Sequence, residues 1–124
     1  QVYGAPYLKS KTFTFIPKSM SGAKYPKHKE LKCFGENLQN VDLDSLCLNS
    51  GLNYNWLVEC YKSSNYADDF FNENNFFNLL AGTDRVMNLI KGRATAKQII
   101  ETFQEELQQF KLVRKKYLIY QDFE

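Results

Sequence analysis

The sequence predicts an α+β domain, a small, mainly antiparallel sheet with helices packed on one face, ending in a helical hairpin and a terminal strand. Three observations predict it. Residues 11–16, KTFTFI, alternate with the period of two that sets Phe13 and Phe15 on one face of a strand. The stretch from Asn75 to Tyr120 holds two capped helical patterns in succession. Apolar residues make up 44% and aromatics 15% of the chain, with 10 Phe and 8 Tyr, the composition of an ordered globule rather than a disordered tail. At 124 residues it forms one domain, able to bury about two thirds of its unfolded surface.

Taken in order, Val2 to Tyr7 reads as a short extended segment ending at Pro6. The strand over 11–16 stops at Pro17. Residues 19–29, with Gly22, Pro26 and interspersed Lys, are too rich in breakers for regular structure and form a long loop; loops of this length are usually functional or disordered. Residues 31–38 return as a strand in which Gly35 marks a bulge or the close approach of another backbone. Residues 42–48 suit a helical turn or two, closed by Gly51. Asn53 is placed to cap a helix running to Lys62, with Trp56, Leu57, Cys60 and Tyr61 on one face as core. Phe70, Phe71, Phe76 and Phe77 form two pairs around an acidic, Asn-rich turn, and such large apolar groups must be covered either by the domain core or by a preceding domain.

The closing half is the most sharply specified. Thr83 opens a helix by accepting from backbone N–H groups two and three residues on, and Gly92 ends it in the left-handed conformation. Thr95 opens the second helix in the same way. Ile99, Phe103, Leu107, Phe110 and Val113 then recur at spacings of four and three as one apolar face. Glu101, Glu105 and Glu106 lie early, and Lys111, Arg114, Lys115 and Lys116 lie late, as the helix dipole favours. Residues 117–120 read as a final strand, pairing with residues 12–16 or 31–38.

Composition and motifs exclude several functions. The net charge of +2 is segregated: residues 1–32 hold seven Lys against one Glu, residues 33–84 eight acids against one Lys, and residues 85–124 eight basic residues against five acids. The basic lobe is first a solvated surface. Nucleic acid is not the expected partner, because no Arg precedes Arg85 and neither a recognition helix nor an aromatic RNA-binding strand is present. No apolar run approaches the ~20 residues of a membrane span, and no charged-then-apolar leader appears in this segment. Cys33, Cys47 and Cys60 lack the close pairing of zinc ligands, so with His28 they are a weak metal set. They read as small buried hydrophobes, or as one disulfide with a leftover thiol. His28, between Lys27 and Lys29, is an exposed loop residue, and with no other His the proton-shuttling triads have no basis. Neither a phosphate-binding loop nor a dinucleotide fingerprint occurs. Glycoside hydrolysis needs two carboxyl groups, yet Glu101, Glu105 and Glu106 suit a helix's polar face, Asp84 a helix start, and Asp68 and Asp69 a polar turn. No catalytic residue, cofactor or metal ligand is therefore assigned.

Five motifs occur in an order that carries more than any one of them: Gly4-Ala5-Pro6-Tyr7; TFTFIP from Thr12 to Pro17; SMSGAK from Ser19 to Lys24; Cys33-x-Gly35; and LLAGTDRV running on to KYLIY. In this order the chain resembles, over essentially its whole length, the C-terminal end of a bacterial family once filed as a domain of unknown function. That family is now associated with exo-β-N-acetylmuramidases of the NamZ type, and the ordering is similar to its Bacteroidetes variant. The resemblance implies that residues 1–124 are the single C-terminal domain of a longer chain that begins upstream of Gln1, after a Rossmann-like domain carrying the proposed catalytic carboxylate. It implies a peptidoglycan-derived saccharide as ligand, and a parent protein that is exported, periplasmic or outer-membrane-associated. The function implied is the substrate-cleft wall of an enzyme that releases N-acetylmuramic acid from non-reducing ends; the alternative is a non-catalytic carbohydrate-binding or assembly module of the cell envelope.

The residues matching the family pattern are Ser19, Gly22, Lys24 and Cys33, with Gly4 and Pro6 at the opening turn. N-acetylmuramic acid bears a lactyl carboxylate, so its site needs a cation with hydroxyl or backbone donors beside it. Lys18, Ser19, Ser21, Lys24 and Lys27 supply those types, with Ser19 and Lys24 foremost. A plain solvated loop is the competing reading.

Overall fold

Three short strands, β1 (Val2–Ala5), β2 (Phe13–Phe15) and β3 (Cys33–Asn37), form an antiparallel sheet with β3 in the centre. The computed structural model describes residues 1–42 and 52–122. Gly4 pairs with Gly35 across β1 and β3. A Cβ on Gly35 would run into the Tyr3 carbonyl oxygen and would lie 2.7 Å from Gly4 Cα, so the expected close backbone approach is what this glycine provides. The helical turn expected over 42–48 falls on residues outside the described ones, apart from Asp42.

Five α-helices follow among the described residues: α1 (Asn55–Ser63), α2 (Phe76–Ala81), α3 (Arg85–Lys91), α4 (Ala96–Thr102) and α5 (Gln104–Arg114), with a 3-10 turn over Asp68–Phe70 before α2. Asn53 assists the start of α1, its Oδ1 accepting from Asn55 N at 3.0 Å. The core joins Tyr61 of α1, Phe71, Val86 and Ile90 of α3, and Ile99 of α4. Phe70 and Tyr66 meet the Tyr61 ring edge-on at 5.2 and 5.4 Å, and Phe77 meets Phe71 at 4.8 Å. The domain core thus takes three of the four phenylalanines, while Phe76 stays 52% exposed.

The closing half departs from expectation in three places. Thr95 and Gln98 form the reciprocal capping box at α4, as Thr95 promised. Gly92, however, has φ −73°, and Arg93 adopts the left-handed conformation in its place. Its guanidinium lies 4.4 Å from the Tyr66 ring centre, a stacked contact that accompanies the unfavourable backbone. Next, the expected single long helix breaks at Phe103. The break keeps Ile99 buried and Phe103 packed on the core, but turns Leu107, Phe110 and Val113 outward, at 41%, 60% and 51% exposure. Finally, residues 117–120 form no strand. The chain leaves α5 in a turn, Arg114 pairs with Asp122 at 3.1 Å, and Tyr117, Ile119 and Tyr120 are largely exposed. Their β propensity finds no sheet edge to join, and strand formation follows context more than composition.

Candidate functional site: a groove between sheet and helices

Strand β1 runs into the Gly4-Ala5-Pro6-Tyr7 turn, which is pinned by the buried Leu8, whose N–H donates to Ala5 O at 3.3 Å. Between this turn and the helical half lies an open groove of about 630 Å³. Its lining draws Tyr3, Gly4 and Tyr7 from β1 and the turn after it, Leu57 from α1, Phe70 from the 3-10 turn, Phe76 and Leu80 from α2, and Pro26, Lys27 and His28 from the long loop. Apolar walls with a few polar groups at the rim are the usual make-up of a ligand site. Burial pushes the Tyr7 phenol above its ordinary range. No Asp or Glu borders the groove among the described residues.

The loop from Pro17 to Lys32 closes on itself through Glu30 N donating to Pro17 O at 2.9 Å. Its far end is a small hairpin in which Met20 and Ala23 bridge, Gly22 takes φ 89°, and Ser19 Oγ donates to Lys24 O at 2.7 Å. This placement divides the residues chosen from sequence. Gly4 borders the groove and Pro6 sits half-buried in the adjoining turn, whereas Lys18, Ser19, Ser21, Gly22 and Lys24 are exposed and away from its lining. His28, expected to be exposed, is half-buried in the groove's lining with φ 59°. Strained backbone of this kind concentrates at functional sites. Lys27, one of the cations the sequence offered, does line the groove, whereas the half-buried His28 beside it and the aromatic side chains Phe70, Phe71, Phe76 and Phe77 in the same lining are the part sequence reasoning missed; the positive φ of His28 has no local sequence signal.

A second polar cluster lies where the sheet meets α1. Lys11 Nζ donates to Glu36 of β3 and, at 2.9 Å, to Glu59 of α1. The ammonium holds the Glu36 carboxyl below the usual carboxylate range, and the two carboxylates push Lys11 up. A general acid needs the opposite shift. Tyr3 Oη is buried beside Glu36 without a hydrogen bond of normal geometry, and burial, then Glu36, pushes its phenol up to about 12. Because Glu36 is depressed, its contribution to stability is present above the ordinary carboxylate pKa of about 4.3 and is lost as pH falls through the lower folded value. Urea midpoints followed across this range should therefore fall on the acid side, and Lys11→Met should flatten that fall.

Three of the other acids have partners too: Glu106 pairs with Arg85 at 2.9 Å, Glu101 with Lys97 at 3.7 Å, and Asp84 accepts from Asn88 at 3.3 Å. Cys33 is fully buried and Cys60 half-buried, both as free thiols raised by burial, and Cys47 lies outside the described residues. No group of three His, Cys, Asp or Glu side chains that could hold a metal is found among the described residues.

A crystal structure of a DUF1343 family protein from Bacteroides fragilis is similar to this chain with a TM-score of 0.86 and 38% identity, over 98% of this chain and 34% of that one. A peptidoglycan β-N-acetylmuramidase NamZ from Bacillus subtilis is 29% identical over 136 residues, which cover 97% of this chain and 31% of the relative. The chain thus spans about a third of the length of these relatives. The family model described as "Exo-beta-N-acetylmuramidase NamZ, C-terminal" matches residues 1–120, and with the five ordered motifs and the shared fold this shows that the chain belongs to the C-terminal domain family of the NamZ exo-β-N-acetylmuramidases.

Proposed function

We propose that this domain forms one wall of the substrate cleft of a peptidoglycan-degrading exo-β-N-acetylmuramidase, working beside a Rossmann-like domain that supplies the catalytic carboxylate. The carrying observation is the groove itself: apolar and aromatic, with Lys27 and His28 in its lining, and bordered by no carboxylate among the described residues. It can hold a sugar and its lactyl anion but offers no acid to cleave the bond. The exposed apolar side chains Phe76, Leu79 and Leu80 on α2 suit a face that meets the preceding domain. Lys27 in the lining and Lys18 and Lys24 on the hairpin beyond it, none of them in an ion pair among the described residues, provide the cations for the lactyl carboxylate, with Ser21 as hydroxyl donor and Ser19, whose hydroxyl donates to Lys24 O, ordering the hairpin. A cell-envelope location follows from such a substrate, with the parent protein exported to the periplasm or outer membrane, and the greater identity to the Bacteroides protein favours a Bacteroidetes-like variant.

The test is complementation. The 124-residue chain alone should not release the chromophore from an N-acetylmuramic acid glycoside, and addition of a family N-terminal domain, fused or in trans, should restore release. Turnover by the chain alone would overturn the division of labour, and failure of the fused protein to act on this glycoside while folded would overturn the substrate.

A further inference from the structure

Beside the Lys11 cluster lies a second hollow, of about 470 Å³, bordered by Trp56, Lys11, Glu36, Asn37, Phe13 and Gly35. We propose that it is a binding site for a neutral N-acetylated hexosamine. The volume lies within the ~300–1,000 Å³ of small-molecule sites, and the lining pairs two aromatic side chains, Trp56 and Phe13, with a few polar groups. Trp56 is half-buried and held against Tyr3, ring centres 5.9 Å apart, so the indole is fixed before a ligand arrives. Its Nε1–H has no hydrogen-bond partner among the described residues. An amphipathic ring with an open donor suits a sugar, whose C–H face stacks while its acetamido carbonyl accepts.

Lys11 and Glu36 supply complementary groups. An ammonium has three donors; Glu36 and Glu59 take two, which leaves one for a hydroxyl or carbonyl. Glu36, kept ionised by Lys11, accepts from a sugar hydroxyl. The charge sets the choice of sugar. Two carboxylates against one ammonium leave the hollow negative, which disfavours the lactyl carboxylate of N-acetylmuramic acid and leaves N-acetylglucosamine as the fitting hexosamine. This preference is opposite to that of the lysine-rich loop. The source of the sugar, a peptidoglycan strand, rests on the reading above; the binding of the sugar does not, and complementation can fail without affecting it.

Trp56 is the single tryptophan of the chain, so its emission reports on this hollow alone. Titration of the 124-residue chain with N,N′-diacetylchitobiose should give a saturable change in emission with a dissociation constant on the order of 1–10 mM, and N-acetylmuramic acid should bind at least about tenfold more weakly. Glu59→Gln removes a charge without touching the lining and should narrow that difference. Trp56→Phe keeps a ring but loses the donor, and should weaken chitobiose about tenfold, read from the amide NMR shifts of Gly35 and Asn37. No saturable response to chitobiose, equal affinity for the two sugars, or unchanged affinity in a folded Trp56→Phe variant would overturn the proposal.

Discussion

Ile99→Ala lowers the stability of the domain by about 2–5 kcal/mol, while Phe110→Ala, eleven positions along what reads as the same apolar stripe, changes it by no more than about 0.5 kcal/mol. Ile99 is 0% exposed and packs among Val86, Ile90, Tyr61 and Phe71, so truncation leaves a void that the surrounding rings and branched side chains cannot close. Phe110 lies beyond the break at Phe103 and is 60% exposed, so it has little burial to lose. Phe103→Ala falls between the two, because its half-buried ring rests on the core and lies 5.0 Å from the Arg85 guanidinium. Urea unfolding followed by circular dichroism of the three variants gives the ranking. A Phe110→Ala cost equal to that of Ile99→Ala would show that α5 packs its stripe inward in solution.

The same helices show what sequence alone can carry. Local rules were legible where a side chain answers its own backbone: Thr95 and Gln98 cap α4 reciprocally, and Gly35 sits where β1 presses on β3. The alternation of Phe13 and Phe15 gave β2, though the strand is shorter than its pattern. Periodicity was silent on the kink at Phe103, because a stripe of spacings four and three says which residues share a face and not whether anything covers it. Residues 117–120 have the composition of a strand, and strands depend on a partner edge that composition does not encode. For the site, the basic loop was legible as a breaker-rich, lysine-rich segment, but not which of its lysines turns toward the groove. That depends on the positive φ of His28 and on Glu30 closing back to Pro17. The Lys11, Glu36 and Glu59 cluster was likewise hidden, since its members come from a loop, a strand and a helix up to 48 positions apart.

Lys27→Met, and to a lesser degree Lys24→Met, weakens binding of an N-acetylmuramic acid ligand by roughly 10- to 150-fold in a protein that also carries the preceding domain. The figure is the loss of one charge-assisted hydrogen bond to the lactyl carboxylate, about 1.5–3 kcal/mol. Met keeps the length and apolar stem of Lys, so the change isolates the charge. Lys27 carries the larger share because it borders the groove, whereas Lys24 stands on the exposed hairpin and reaches the ligand only across its rim. The lactyl group supplies the control. A substrate without it should lose little on either substitution, since no carboxylate then faces the lysine. Equal loss on both substrates would show that the loop holds the neighbouring domain rather than the sugar. No loss on either would reduce the loop to solvated surface, and the anion would have to be held by the domain opposite.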